Sequence, residues 1–245
     1  MKIFNIMLNT LVMSSFILAS SDKELTKKIN EMLKNNNVPG SISQLKDVDI
    51  KNLKIGILTL KDKGEIPILV GDDAKTIIVI NDGVLTENEK VSAVINSSIQ
   101  HTMKKNTTSK IEKIESYISK NKDAYLSIKG DINQKKIIYI FSDPNCPYCK
   151  KAISKQLSKY LTSYREIRII PVGVIKEDSL LKASDLIELN KLKLSDKEKI
   201  KRIKEIYSNS YYSISKEPSQ IIKNNDSMAI DIGVNAVPYE IEGLN

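Results

Sequence analysis

Four stretches place apolar residues at helical spacing behind a Ser or Thr with Glu three positions on. This pattern starts helices because hydroxyl and carboxylate each satisfy an amide of the first turn. Ser21 and Glu24 precede Leu25, Ile29 and Met32; Thr86 and Glu89 precede Val91, Val94, Ile95 and Ile99; Ser109 and Glu112 precede Ile114 and Ile118; Ser195 and Glu198 precede Ile200, Ile203 and Tyr207. Each predicts an amphipathic helix. Between the first two, apolar runs of strand length occupy 53–61, 65–71 and 75–82, separated by the turn clusters DKG and GDDA. A small antiparallel sheet follows, and residues 22–85 read as an α+β module. It holds no cluster of acid, base and nucleophile, so its expected role is packing or partner binding.

Residues 86–122 are helical and rich in lysine, with a break expected near MKKNTTS (103–109), and read as a linker. They carry the only histidine, His101, among polar neighbours; a solitary histidine on such a helix is a solvated residue and takes no role. From Lys135 the pattern becomes a strand (135–141), a turn, a helix (146–163) and a second apolar strand (166–174). That is a β-α-β unit, whose crossover makes the two strands parallel and puts the turn at the carboxyl end of the first. A lysine-rich helical stretch fills 178–230 before a last turn and strand at 234–243.

The 245 residues, 41% of them hydrophobic, suffice for two packed domains. The net charge of +8 comes from lysines interleaved with acids, with no Trp and three Phe, which argues against a nucleic-acid partner. At the N-terminus one lysine is followed by an apolar run from Ile3 to Ala19 and then small residues. Residues 1–21 therefore read as a secretory signal, cleaved after Ala19 or Ser21, that exports the chain. The run is short for a membrane span and is interrupted by Asn5, Asn9 and Thr10. The chain's two cysteines, Cys146 and Cys149, survive that cleavage. One pair three residues apart is no framework of staples, so reactivity explains it better than architecture.

In FSDPNCPYCKKA (141–152), Cys146 starts a helix, Pro147 follows at a position that needs no N–H, and Cys149 lies one turn further in. The helix dipole and free first-turn amides favour a Cys146 thiolate at what is expected to be an exposed tip, with Lys150 and Lys151 adding positive charge. Cys149 shares a helix face with Ile153 and Leu157 and should point into the core. Cys146 is thus the expected attacking thiol and Cys149 the resolving one, forming a redox-active disulfide without metal or organic cofactor. Zinc would need about four ligands, and the cysteines have no others to join them.

The same segment, behind an apolar strand in an exported chain, resembles the DsbC/DsbG family of periplasmic thiol:disulfide interchange proteins. The resemblance extends to the signal segment, the small N-terminal module with VPG at 38–40, the helical linker and the helical insertion. It implies an N-terminal dimerisation-type α+β domain (22–85), a linker (86–122) and an α/β thioredoxin-like catalytic domain (123–245) with a helical insertion (178–230). It also implies a cis peptide before Pro238 in NAVPYEI, so that Val237 and Pro238, with Pro147 and Tyr148, would line the substrate site. Thioredoxin-like domains usually add a strand and a helix after that proline strand; the sequence ends at Asn245, so these final elements are expected to be missing. The implied activity is disulfide isomerisation or reduction on exported proteins in the periplasm, by a homodimer served by a membrane redox partner. A net oxidase similar to DsbA would use the same residues, and a chaperone-like binding protein is a third reading.

Overall fold

The computed structural model describes residues 22–61 and 64–243; the expected signal segment, 1–21, lies outside them. The chain divides into two compact units between Asn106 and Thr107. The division falls inside one long helix.

In the first unit, helix α1 (22–35) is followed by strands β1 (Gly40–Asp47), β2 (Leu53–Leu60), β3 (Gly64–Gly71) and β4 (Ile77–Val79), all antiparallel in the order β1-β2-β3-β4. Leu25, Ile29 and Leu33, four residues apart, bury one face of α1 against Leu58, Ile68 and Val70. Ile55 and Leu69, of opposite strand parity, face Val91 and Ile95 of helix α2 (Glu89–Lys120). Coverage of both faces is why β2 and β3 read as continuous apolar runs rather than alternating ones. The sequence reading missed β1, whose alternation is blurred by Ser41, Ser43 and a bulge around Gln44, where φ is 57°. The strand placed at 75–82 shrinks to three residues.

The break expected near 103–109 is absent: α2 runs unbroken for 32 residues. The stretch has weak helix formers but no Gly or Pro to stop it. Asn106 also turns its amide outward from the helix, accepting from the Glu65 amide at 2.8 Å and donating to the Glu65 carbonyl at 2.8 Å, while Lys105 pairs with the Glu65 carboxylate. The start of α2 is capped by Asn88, whose Oδ1 accepts from the amides of Lys90 and Val91, rather than by Thr86. At Ser195 the expected reciprocal capping box is present.

The second unit has a sheet in the order β5-β7-β6-β8, formed by β5 (Leu126–Lys129), β6 (Ile137–Ser142), β7 (Glu166–Pro171) and β8 (Tyr239–Glu242). Strands β6 and β7 are parallel, as the β-α-β reading requires; β5 and β8 are antiparallel to their neighbours. Between β6 and β7 run helix α3 (Pro147–Lys151), a π-helical turn (Ala152–Gln156) and helix α4 (Leu157–Ser163). The helical stretch after β7 resolves into α5 (Ser179–Glu188), α6 (Asp196–Ile206) and α7 (Gln220–Asp231), with a non-helical loop before α7. Two cores sandwich the sheet. Ile138 and Ile140 of β6 meet Cys149, Ile153 and Leu157 on one face, and Tyr139 and Phe141 meet Ile111, Ile114, Ile118 and α7 on the other.

Candidate active site

Strand β6 ends at Ser142, and the next three residues turn the chain into α3. The Asp143 carboxylate, fully buried, fixes this turn by accepting three backbone amides: Asn145 at 2.7 Å on Oδ1, and Val174 and Ile175 at 2.8 Å each on Oδ2. A buried carboxylate persists only when its oxygens are satisfied in this way. Asn145 ties the same turn to α5, donating to Asp178 at 2.7 Å and Ser179 at 3.1 Å and accepting from the buried Lys182 ammonium at 2.9 Å.

Cys146 then caps α3 and Pro147 occupies its first turn. The first-turn amides of a helix have no intrahelical acceptor, so the end of α3 presents positive potential where Cys146 sits. The exposed tip expected for Cys146 is not observed. The residue is 3% exposed because the Val237 segment lies over it, and its Sγ donates to the Val237 carbonyl at 3.2 Å. The Val237–Pro238 peptide is cis. Pro147 and Tyr148 are exposed, Tyr148 by 73%. The structure therefore brings Cys146, Cys149 and Val237 together, with Tyr148 facing solvent beside them.

Cys149 is fully buried on the face shared with Ile153 and Leu157. Both cysteines are free thiols, approaching to 3.5 Å. Burial pushes the Cys149 thiol up to about 12, and the neighbouring Cys146 adds to the rise. Lys150 donates to Asn209 at 2.6 Å; burial, followed by repulsion from Lys182 and Lys176, holds its ammonium below the usual range. Sequence reasoning missed Ser142, Asp143 and Asn145 as site residues although the motif contains them, their signal being the Asp-Pro-Asn turn. Lys182, and Tyr207, whose hydroxyl donates to Ser142 Oγ at 2.7 Å, come from the insertion and carry no local signal.

A parallel β-α-β unit with a dithiol at the helix start, faced by a cis-proline segment, is the architecture of a thioredoxin-like domain. Family models agree for most of the sequence: the DsbG N-terminal disulfide isomerase domain matches residues 25–115 and a thioredoxin-like domain matches residues 129–241. The chain belongs to the DsbC/DsbG-like branch of the thioredoxin family. Among curated proteins, the thiol:disulfide interchange protein DsbG of Pseudomonas aeruginosa is 36% identical over 58 residues, 24% of this chain and 23% of that protein. DsbG of Escherichia coli is 28% identical over 110 residues, 42% of this chain and 41% of that protein. The matched stretches thus span less than half of either relative. The solved structure of Helicobacter pylori DsbG shares the fold, with a TM-score of 0.52 and 22% identity over 88% of this chain and 99% of that one.

Proposed function

We propose that this chain is a thiol:disulfide interchange enzyme for exported proteins, working in the periplasm as a disulfide isomerase or reductase. The observation that carries the reading is the inequality of the two thiols. Cys146 sits at the positive end of α3, whereas Cys149 is buried and pushed up to about 12. Such a pair suits attack by Cys146 on a substrate disulfide, with loss of one substrate thiolate, and then attack by Cys149 on the mixed disulfide to release the other. Dithiol is oxidised and substrate disulfide reduced, so no further cofactor is required; in isomerisation a substrate thiolate displaces Cys146 instead. Val237 and Pro238 offer backbone beside the sulfur for an extended client segment, and Pro147 and Tyr148 form the exposed lip. Export would follow from a signal segment at 1–21, and a membrane redox partner would reset the pair.

The test is regain of activity by a scrambled, disulfide-bonded client. Cys146→Ser is expected to abolish it, and Cys149→Ser to accumulate mixed disulfides with exported proteins. Full activity of Cys146→Ser rejects the assignment. Rapid alkylation of the pair in intact cells tests direction: mostly reduced supports isomerisation, mostly oxidised a net oxidase.

A further inference from the structure

Cys149 presents a problem that the dithiol alone does not solve. To close the disulfide it must become a thiolate, yet burial holds its thiol far above neutral pH and keeps the thiolate scarce. No lysine, histidine or carboxylate hydrogen-bonds its sulfur among the described residues; besides the Cys146 thiol, the Asp143 backbone amide and the Ser142 hydroxyl act on it, and Tyr207 lies close by. What shares its pocket is a pair of hydroxyls. Ser142, at the end of β6, is fully buried, and Tyr207, the C-cap of α6, is 3% exposed and belongs to the same core as Cys149. The Tyr207 hydroxyl donates to Ser142 Oγ at 2.7 Å. Ser142, its acceptor site filled by Tyr207, has its own proton left to donate, and the Cys149 sulfur is the partner on which that hydroxyl acts. A buried hydroxyl is costly unless paired, so two polar side chains in this core need a reason to be there.

We propose that Tyr207 and Ser142 form a hydrogen-bond chain that stabilises the Cys149 thiolate in the step that closes the Cys146–Cys149 disulfide. Ser142 is placed to donate toward the sulfur; Tyr207 acts through it and is a positioning residue. As Cys149 gives its proton to water, the chain Tyr207 O–H to Ser142 O–H to sulfur meets the new negative charge with an aligned, polarised donor. Hydrogen bonds to a charged acceptor are about twice as strong as neutral ones, so the chain favours the thiolate over the thiol. Cys149 Sγ then bonds to Cys146 Sγ, the bond from Cys146 to the substrate sulfur breaks, and the departing substrate thiolate takes up a proton from water. The insertion thereby supplies a group to the redox centre, which gives α6 a role beyond covering the sheet.

The inference rests on the interchange reading, and one experiment separates the two. The reduced full-length chain is mixed with oxidised glutathione, quenched with acid at successive times, and analysed by mass for the Cys146 mixed disulfide and the internal disulfide. Tyr207→Phe keeps the ring and removes only the hydroxyl. It is expected to form the mixed disulfide at the wild-type rate but to close it about tenfold more slowly, with the pH midpoint of closure moved upward. Ser142→Ala should behave the same way, Ser142→Thr should restore closure, and the double variant should be no slower than Ser142→Ala. Thermal melts check that each variant is folded. Wild-type closure rates in both Tyr207→Phe and Ser142→Ala, at every pH, overturn the inference alone. A wild-type chain that never forms the Cys146 mixed disulfide overturns the site assignment and this inference with it.

Discussion

At the scale of single residues, the two cysteines differ through their surroundings rather than their spacing. Cys149 packs among Ile153, Leu157 and Tyr207, and the apolar environment penalises its thiolate. Alkylation of Cys149 in the reduced, folded protein should therefore be at least about tenfold slower than in the unfolded chain, since burial raises its thiol and lowers its thiolate fraction. Peptide mapping after iodoacetamide treatment checks this, and similar labelling of Cys149 before and after unfolding would contradict it. Stability carries the same signature. The folded state favours the protonated thiol, so this contribution is complete below pH 9.0 and is lost as pH rises from there toward about 12. Denaturant titrations of the reduced wild type and of Cys149→Ala should accordingly converge across that window.

At the scale of elements, the contacts around the site explain what the sequence could and could not reveal. Strands β2, β3, β6 and β7 were legible because their apolar runs are bounded by turns, and α6 because its capping box is local. Strand β5 was missed: four residues with Leu126 and Ile128 inward are too short a run to stand out. The motif marked the cysteines and the family resemblance pointed to Pro238, but the partners of the turn lie 30 to 65 residues away. Elsewhere in the insertion, Asp185 on α5 shows how its loop is held. Its carboxylate accepts from the hydroxyls of Tyr211, Ser213 and Ser215 and from the amides of Ile214 and Ser215, pinning the loop between α6 and α7. Burial alone would raise its pKa, but the bonds from Ser215 and Ser213 and the two amides outweigh it and hold the carboxyl below its ordinary 3.8. Because the folded value is lowered, the stabilisation is present above pH 3.8 and fades as pH falls below it. Asp185→Ala is expected to cost about 1–3 kcal/mol, to lower amide-exchange protection in residues 207–219 first, and to flatten the acid limb of the stability profile. Unchanged protection there would mean that the loop is held by something else.

At the scale of the whole molecule, the first unit raises the question of association. Its described residues form helix α1, four short strands and the first half of α2, a modest core for which a second copy is a common support. Two edges of its sheet are free for pairing within the unit, β1 and β4. Strand β4 is three residues long, yet Ile78 and Val79 are each 47% exposed, and Leu85 shortly after it is fully exposed. Apolar side chains on an unpaired edge invite another strand, because backbone pairing and apolar burial then act together. We expect the full chain to be a homodimer joined through this edge, and Ile78→Glu with Val79→Glu to separate it. Both side chains already face solvent, so the charges should leave each subunit folded while opposing one another across the joint. Sedimentation equilibrium of the two proteins, with thermal melts as the control for folding, gives the answer. A wild-type monomer rejects the dimer, and a variant that stays dimeric moves the interface away from β4. If dimerisation is what biases the chain toward isomerisation, the monomeric variant should also be reoxidised faster by a membrane oxidase while its Cys146 reacts with glutathione at the wild-type rate. Equal reoxidation of monomer and dimer would sever that link between assembly and direction.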